Sequence, residues 1–216
     1  PIVVTYSGGK DSTVLLHLVR QVAPDAHAIW VDSGAELAST HEIVAHYGVT
    51  TIYPEMSLIE MCKYGGYWGY PTPVDPDAEF DFERVLIHDP IAQYCDQHGI
   101  AVCAIGLRAQ ESTVRWITAR KRGELYHAAY ANRWHLCPLQ RWTTDDVWAY
   151  LVGNGLAYNR AYDEMRRLGI REEQQRVGPV LGSAAAQFGR FAHLRLLDPP
   201  LYQRLVNDFP RIAIYT

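Results

Sequence analysis

The amino-acid sequence predicts an α/β protein: a doubly wound, mainly parallel sheet of five strands with helices on both faces, plus a small helical C-terminal subdomain. Three observations predict this class. Short β-rich runs alternate with segments of helical periodicity along most of the chain. A glycine-rich turn joins the first strand to the first helix, as in βαβ units. From about Gly155 the alternation gives way to an arginine-rich, helical tail.

The individual elements follow from local patterns. Short apolar, β-rich runs predict strands at Ile2–Tyr6, His27–Asp32, Thr50–Tyr53, Ala101–Leu107 and His135–Leu139. Apolar residues at helical spacing predict helices over Ser12–Val22, about Ala38–Tyr47, Arg84–His98 with a break near Pro90, and Thr144–Leu151 with Thr144 as N-cap. Ser57 and Glu60 have the spacing of a capping box, which predicts a short helix after Ser57. This order of elements predicts right-handed crossovers between parallel strands.

The fading alternation also predicts two domains. Residues 1–154 are expected to form the α/β domain, and residues 155–216 a helical, arginine-rich subdomain packed on it. The segment Gly65–Glu83 interrupts the first domain with aromatic residues, glycines, prolines and five acids. It is too long for a simple connector, so an ordered surface excursion and a lid or binding loop both stay open.

Charge is distributed unevenly along the 216 residues, whose formal net charge is −4. Residues 1–107 carry 4 Lys and Arg against 14 Asp and Glu, whereas residues 108–216 carry 16 against 10. The planar fork of arginine fits phosphate and sulfate. The second half is therefore predicted to supply an anion site, with a solvated surface as the alternative for most of its arginines.

The composition of the chain also indicates in which cellular compartment the protein is expected. No apolar run reaches the roughly 18–20 residues that a membrane span needs, and the first residues lack the pattern of a signal peptide. The four cysteines, Cys62, Cys95, Cys103 and Cys137, form no CxxC pair, which argues against a zinc ribbon or a disulfide framework. Free thiols suit a reducing compartment, so a cytoplasmic location without a membrane partner is expected.

The most informative segment is SGGKDS, Ser7–Ser12, directly after the first predicted strand. Its glycines permit a tight turn and a close approach to a ligand, and the helix that follows offers unpaired N–H groups and a positive dipole end. It is neither a Walker A loop, which would need glycine in place of Val4, nor a GxGxxG fingerprint. An anion cradle is predicted, with contacts from Tyr6, Ser7, Gly8, Gly9, Lys10, Asp11 and Ser12.

SGGKDS in this position resembles the PP-loop of the adenine nucleotide alpha-hydrolase-like superfamily, the ATP pyrophosphatases. Three further segments resemble the phosphoadenosine phosphosulfate (PAPS) reductase family: WVDSGAE (Trp30–Glu36), GLRAQESTVR (Gly106–Arg115) and PLQRWTTDDVWAYL (Pro138–Leu151). The four motifs occur in the family's order over about 145 residues. The resemblance implies an adenine nucleotide alpha-hydrolase-like fold whose first domain binds a nucleotide.

The superfamily cleaves ATP between the α and β phosphates, which gives an adenylylated intermediate and pyrophosphate. The resemblance implies catalytic roles for Lys10, Asp11, Ser12 and Arg108. The backbone N–H groups of Gly8–Asp11, with Lys10 and Ser12, would stabilise the leaving pyrophosphate. Mg²⁺ is expected to screen the phosphates, with Asp11 as the nearest acid. A helix-start acid favoured by the dipole is the alternative for Asp11.

Ligands of open parallel sheets bind beyond the carboxyl ends of the strands, where three of the motifs are expected to converge. The resemblance implies that Asp32, Ser33, Gly34, Gly106 and Leu107 bracket the adenosine. Arg108 and Arg115 would contact phosphate or an anionic co-substrate. For Arg115, an intrahelical salt bridge with Glu111 is the alternative.

The chain departs from the family in its thiols. PAPS reductases use a cysteine near the C-terminus in an ECG-like motif, whereas the last cysteine of this chain is Cys137. Relatives with an iron–sulfur cluster often place paired cysteines in the region that corresponds to Arg176–Ala184, which holds none. Sulfonucleotide reduction and an iron–sulfur cluster are therefore not expected.

The leading hypothesis is an enzyme that cleaves ATP to AMP and pyrophosphate and adenylylates an acceptor, for sulfur transfer or nucleic-acid modification. Such an enzyme would use a sulfur-donor protein as a partner, and a nucleic acid is a candidate acceptor. Two alternatives stay open: a PAPS or adenosine phosphosulfate (APS) reductase with an atypical cysteine, and a nucleotide-sensing subunit without turnover.

Overall fold

The computed structural model describes residues 1–178 and 190–215. The strands are β1 (Ile2–Thr5), β2 (His27–Val31), β3 (Thr50–Ile52), β4 (Val102–Ile105), β5 (Leu125–Ala128) and β6 (Arg133–Leu136). The α-helices are α1 (Lys10–Val22), α2 (Ala38–His46), α3 (Leu58–Tyr64), α4 (Asp89–Gln97), α5 (Thr113–Arg122), α6 (Thr144–Gly153), α7 (Ala161–Arg167), α8 (Arg190–Leu197) and α9 (Pro199–Asp208). No helix in the described part of the chain is long and apolar enough to cross a membrane.

The chain forms two compact units, each assembled from three segments. The first unit comprises Pro1–Trp30, Glu42–Ile52 and Ile91–Asn159, and the second comprises Val31–His41, Tyr53–Pro90 and Arg160–Thr216. These units are groups of residues in contact and do not test which parts of the chain fold independently. The predicted boundary between an α/β domain (1–154) and a helical subdomain (155–216) therefore stays a prediction.

A six-stranded sheet of order β3-β2-β1-β4-β6-β5 runs through the first unit. Strand β1 is parallel to both neighbours, and its Val4 pairs with Ala28 of β2 and Ala104 of β4. The predicted α/β class is confirmed, but the predicted count of five strands is wrong. The additional strand, β5, pairs antiparallel with β6 at the edge of the sheet. It is largely exposed and lacks the continuous apolar run by which a buried parallel strand is recognised in a sequence.

The core lies on both faces of the sheet, because successive residues of a strand point to opposite sides. Val4 belongs to a buried cluster that includes Leu15 of α1 and Leu151 of α6. Its neighbour Val3 belongs to a second cluster, with Cys95 of α4 and Cys103 of β4. The helices on the two faces therefore shield β1 and β4, the strands from which the glycine-rich loop and the Gly106 segment emerge.

Three helix boundaries test the sequence patterns. The Ser57–Glu60 capping box is confirmed at the start of α3. The break near Pro90 is confirmed too, since a π-helical segment precedes α4. Thr144 is not the N-cap of α6: Thr143 takes that position, accepts a hydrogen bond from the Asp146 N–H at 3.1 Å and completes a capping box. The Thr144 side chain is thereby left to contact the loop after β4, as described below.

The segment Gly65–Glu83 belongs to the second unit and packs against the C-terminal tail. The Trp68 ring lies edge-on to Phe191 and Tyr215, with centroid distances of 5.1 and 5.7 Å. A Cβ at Gly69 would lie 2.7 Å from Cγ of Arg211, so the backbone approaches that side chain closely. These contacts support the interpretation of an ordered surface excursion.

Asp198 accepts hydrogen bonds at the starts of two helices, at residues that both lie in the second unit. One carboxylate oxygen accepts from the Ala38 N–H at the start of α2 (2.9 Å), and the other accepts from the Leu201 N–H in the first turn of α9 (3.1 Å). The carboxylate is largely buried. It therefore neutralises the positive ends of two helix dipoles and fixes the loop that leads from β2 into α2.

We expect Asp198→Ala to lower the free energy of unfolding by about 1–3 kcal/mol, since two helix starts lose their acceptor. Asp198→Asn keeps one acceptor oxygen and should lose less. Urea denaturation of the three proteins at pH 7 measures both differences. Equal stability of Asp198→Ala and the wild type would show that the carboxylate does not cap these helices.

Candidate functional site

The loop Ser7–Ser12 follows β1 and takes its shape from one hydroxyl group. Gly8 has a φ of 72°, in the left-handed region that favours glycine. The Ser12 hydroxyl donates to the Gly9 carbonyl oxygen at 2.9 Å and accepts from the backbone N–H of Ser7 at 3.2 Å. Because the Ser12 proton points to the Gly9 carbonyl, this side chain closes the loop. Its role as a donor to phosphate stays a prediction.

Helix α1 starts within this loop and presents its positive end there. Its N-cap is Gly9, which has no side chain that could accept from the first-turn N–H groups. Such N–H groups and the dipole bind anions. Tyr6, also predicted to contact the nucleotide, is buried, and its hydroxyl shares a hydrogen bond of 3.0 Å with Thr13 in the first turns of α1. Tyr6 thus connects the end of β1 to helix α1 and stabilises the loop between them.

Two buried cations flank a single carboxylate at the start of α1. The Lys10 ammonium donates to Oδ2 of Asp11 at 2.8 Å, and the Arg108 guanidinium forms an ion pair with Oδ1. Only 6% of Lys10 and 4% of Arg108 is exposed. The contact between Nε of Arg108 and Oδ1 of Asp11 lacks hydrogen-bond geometry. This triad has a net charge of +1, which is costly to bury without a further anion.

Arg108 is held by partners on two further elements. Its Nη1 donates to Oε1 of Gln110 at 3.0 Å and to the Thr144 hydroxyl at 3.2 Å. The segment before it, Gly106–Leu107, leaves β4 next to the loop: a Cβ at Gly106 would lie 3.4 Å from the carbonyl carbon of Asp11. The structure therefore brings the motifs after β1 and β4 together. Contact of Gly106 and Leu107 with adenosine stays a prediction.

Arg115 pairs with Glu111, as the alternative interpretation of this residue predicted. Its guanidinium forms an ion pair with Glu111. Glu111 closes a 3₁₀ turn, Ala109–Glu111, and its carboxylate also accepts from the Arg108 N–H at 3.3 Å. Arg115 itself lies in α5, whose N-cap is Ser112. Glu111 thus connects the backbone of Arg108 to Arg115, while contact of Arg115 with a ligand stays a prediction.

The described residues form no preassembled cage of side chains around a metal ion. Within residues 1–178 and 190–215, no group of three or more His, Cys, Asp or Glu side chains is placed to hold one. Asp11, the predicted Mg²⁺ ligand, directs one carboxylate oxygen to Lys10 and the other to Arg108. Mg²⁺ is commonly bound by one or two carboxylates together with substrate phosphates. Magnesium at Asp11 therefore stays a prediction, as an ion that would arrive with a nucleotide substrate.

The predicted adenosine contacts Asp32, Ser33 and Gly34 belong to the second unit. The Gly34 N–H donates to Oδ1 of Asp32 at 2.8 Å, and Gly34 has a φ of 89°. Arg204 of α9 donates to the Gly34 carbonyl oxygen at 3.1 Å. This turn is well ordered within its unit by these contacts. Its convergence with the glycine-rich loop stays a prediction.

Glu36, two residues after that turn, is an ionisable group that the sequence analysis missed. Only 5% of the residue is exposed; one carboxylate oxygen accepts from the Ser33 hydroxyl at 2.7 Å, and the other has no hydrogen-bond partner. Burial raises its pKa to about 7 from 4.5; the hydrogen bond from Ser33 and the charge of Arg190 oppose this, whereas Asp32 adds to it. A glutamate between the apolar residues Ala35 and Leu37 is the signal that could have revealed it.

We expect Glu36→Gln to flatten the dependence of stability on pH. In the wild type, the folded protein keeps the Glu36 proton between about pH 4.5 and 7 while the unfolded chain releases it, so stability falls as the pH rises through this window. The variant should equal the wild type near pH 4.5 and be more stable at pH 8, by at most about 3 kcal/mol. Chemical denaturation at four pH values measures this.

Glu60→Gln is the matched control with the opposite sign. Hydrogen bonds from Ser57 hold the pKa of Glu60 below its usual value. Its contribution to stability is therefore present above the unfolded pKa and is lost as the pH falls. Loss of stability at pH 8 in Glu60→Gln together with an unchanged pH profile in Glu36→Gln would contradict the raised pKa of Glu36.

The cysteines are all buried. Burial raises the pKa of the Cys62 thiol to about 12 and that of Cys137 to about 11. Sγ atoms of Cys95 and Cys103 lie 3.8 Å apart within the buried cluster around Val3. Because the thiolate is the nucleophile, the raised pKa leaves Cys62 and Cys137 mostly as thiols at neutral pH.

Parallel strands followed by a glycine-rich anion loop define a nucleotide-binding class of α/β protein. Residues 1–178 match the model of the phosphoadenosine phosphosulfate reductase domain, and the chain belongs to this family. Adenosine 5'-phosphosulfate reductase 2 of Bacillus subtilis (strain 168) is 28% identical over 176 residues, which cover 76% of this chain and 67% of that protein.

Two further comparisons concern how much of a longer relative the chain covers and which fold it shares with a solved structure. Uncharacterized protein MJ0973 of Methanocaldococcus jannaschii is 26% identical over 213 residues, 97% of this chain but 47% of that protein, so the chain spans about half of that relative. The crystal structure of the PAPS reductase from Candida auris superposes with a TM-score of 0.58 at 18% identity, over 82% of this chain and 80% of that one. The second similarity shows the fold alone.

The family match confirms the resemblance to the PAPS reductase family, and the Bacillus subtilis relative is named as an APS reductase. The expectation that an iron–sulfur cluster is absent has no support from the comparisons and stays a prediction. Part of the region to which that expectation refers, residues 179–184 of Arg176–Ala184, lies outside the described residues.

Proposed function

We propose that the chain binds an adenine nucleotide at the Ser7–Ser12 loop and Arg108, and that it cleaves ATP to AMP and pyrophosphate while adenylylating an acceptor. The observation that carries this proposal is the triad of Lys10, Asp11 and Arg108 at the start of α1. Two buried cations and an uncapped helix start converge on one carboxylate. A triphosphate brings several negatively charged oxygens that can accept hydrogen bonds from these two cations and from the helix start.

The first step is exchange of partners at Asp11. Phosphate oxygens of the bound nucleotide accept from Lys10 and Arg108, and the Asp11 carboxylate is released from them. The freed carboxylate would then be available to the magnesium ion that accompanies ATP as part of the substrate. Gly8 and Gly9 let the loop backbone approach the phosphates without side chains in between.

The reaction forms one bond and breaks one. An oxygen or other nucleophilic atom of the acceptor donates its electron pair to the α-phosphorus, and the bond from that phosphorus to the bridging oxygen of the β-phosphate breaks. Pyrophosphate departs with that electron pair and is stabilised electrostatically by Lys10 and Arg108. With water as the acceptor, the products are AMP and pyrophosphate. A sulfur-donor protein would act on the adenylylated acceptor.

Reduction of a sulfonucleotide is the second candidate, because relatives such as the Bacillus subtilis protein carry the name of APS reductases. It would use the same anion site but needs a reactive thiol. The raised pKa values of Cys62 and Cys137 argue against either of these two thiols in that role. Sulfite released from PAPS or APS with thioredoxin, and lost in Cys62→Ser or Cys137→Ser, would favour this candidate.

We expect the wild type to convert radiolabelled ATP with Mg²⁺ to AMP and pyrophosphate. Lys10→Ala should lower nucleotide affinity or turnover about tenfold to a hundredfold, since a charge-assisted hydrogen bond to phosphate is lost. Lys63→Ala is the matched control, because Lys63 pairs with Asp208 in the second unit. Tight nucleotide binding without products would favour a sensing subunit, and equal ATP affinity in Lys10→Ala and the wild type would contradict the site.

Arg108→Lys tests whether guanidinium geometry matters as well as charge. Lysine keeps the charge but cannot contact Gln110, Thr144 and a phosphate from one planar group. We expect calorimetry to show weaker nucleotide binding in Arg108→Lys and still weaker binding in Arg108→Ala, at both low and high salt. Arg84→Lys, at an exposed arginine paired with Asp89, is the control and should bind as the wild type does. Equal affinities in all four proteins would exclude Arg108 from the site.

A further inference from the structure

Helix α5 is a cationic helix without a buried side. Its sequence is TVRWITARKR, and none of its ten residues is buried. Val114 is 73% exposed and Trp116 48%. A helix of this length is marginal by itself in water, and most helices of folded proteins are stabilised by an apolar face packed on a core. Exposed apolar and aromatic residues on such a helix mark a surface that takes a ligand or partner.

The surrounding charge selects the kind of ligand. Residues 113–142 hold six Lys and Arg and a single acid, Glu124, in a chain whose net charge is −4. Arg141 pairs with Glu124 at 3.3 Å. Arg120 and Arg122 instead lie over aromatic rings, with the guanidinium carbon 4.8 Å from the Trp116 ring centroid and 5.2 Å from the Tyr126 centroid. A polyanion with flat groups complements this combination of cations and aromatic faces.

A cavity of about 570 Å³ opens beside the helix. Trp116, Arg120, Arg141 and Trp142 contribute to its lining, together with Gln110. This volume lies in the range of small-ligand pockets and accommodates a nucleobase. Gln110 is the same side chain that accepts from Arg108, so the cavity adjoins the Arg108 end of the candidate nucleotide site. A base in the cavity would therefore lie next to that site.

We propose that the α5 surface, defined as Trp116, Arg120, Lys121, Arg122, Arg141 and Trp142, binds a single-stranded nucleic acid. The strand's phosphates contact the cations along α5, and one base enters the cavity and stacks on Trp116. A single strand is favoured over a duplex because a paired base cannot leave its stack for the cavity without an energetic cost. The proposal that this surface binds a nucleic acid does not depend on the proposed ATP cleavage. The further proposal that the bound strand is the acceptor rests on the proposed adenylylation.

The test is fluorescence anisotropy with labelled 12-nucleotide single strands of DNA and RNA and with a DNA duplex. The wild type should bind at least one single strand more tightly than the duplex. Trp116→Ala should weaken binding about tenfold or more through loss of stacking, and Trp116→Phe should recover part of it. Arg120→Ala, Lys121→Ala and Arg122→Ala combined should lower the slope of log K against log salt by about 2, as phosphate contacts are lost.

Arg166→Ala with Arg167→Ala is the matched control, because these exposed arginines pair with Asp163 and Glu164 within α7. It should bind like the wild type. Equal binding by wild type, Trp116→Ala and the triple variant, or preference for the duplex, would overturn the proposal. An α5-dependent change from oligomer to monomer in size-exclusion chromatography, without nucleic-acid binding, would assign the surface to a second copy of the chain and also overturn it.

The two proposals can fail separately. ATP affinity and acceptor-free AMP formation are measured in the same variants, and the α5 substitutions should leave both unchanged. Nucleic-acid binding that depends on Trp116 in a protein that neither binds nor cleaves ATP would support the surface and refute the proposed function. ATP cleavage without any nucleic-acid binding would do the reverse.

Discussion

The contact of Asp11 with two buried cations is the interaction on which the candidate site depends. Lys10 and Asp11 are neighbours in the first turn of α1, whereas Arg108 comes from the loop after β4, almost a hundred residues later. Removal of one partner from a buried ion pair typically costs several kcal/mol, because the remaining charge stays desolvated. Asp11 therefore holds Arg108 in place when no nucleotide is bound. The three side chains carry a formal net charge of +1, and this charge favours the proposal that the site binds an anion.

The sheet makes that contact possible. Strands β1 and β4 are parallel neighbours in register, with Thr5 opposite Ile105, so their following loops leave the sheet on the same edge. Gly106 then brings the second loop against the first turn of α1 without an intervening side chain. Parallel order continues through β6, which pairs with β4. The antiparallel pair β5–β6 closes the edge of the sheet, and its connection contains Asn132 with a φ of 48°. The site therefore constrains one half of the sheet more than the other.

The sequence predicted this central half well because its signals are local. Buried parallel strands are continuous apolar runs, and SGGKDS combines turn, charge and helix start in six residues. The errors arose where the determinant is distant. Strand β5 is defined by its partner β6 rather than by its own composition. Thr143 and Thr144 both suit an N-cap, and Thr144 is recruited by Arg108 from another part of the chain. Glu36 is ionisable near neutral pH only because the fold buries it, which a sequence pattern does not report.

The arginine-rich second half of the chain shows why two interpretations of one composition can both hold. Arg108 is buried and pairs with a carboxylate of the glycine-rich loop, so it belongs to an anion site. Arg166 and Arg167 pair with acids one turn away on their own helix, which is the behaviour of a solvated surface. The C-terminal half of helix α5 follows neither pattern, since Arg120 lies over an aromatic ring and the helix buries no residue. The like charges at the end of this helix repel one another. Its apolar and aromatic side chains also stay exposed to water, because the helix does not pack on the core. A polyanionic strand bound along α5 would neutralise the like charges and cover the exposed aromatic surface. The proposed strand therefore gives a reason for the excess of arginine in this part of the sequence.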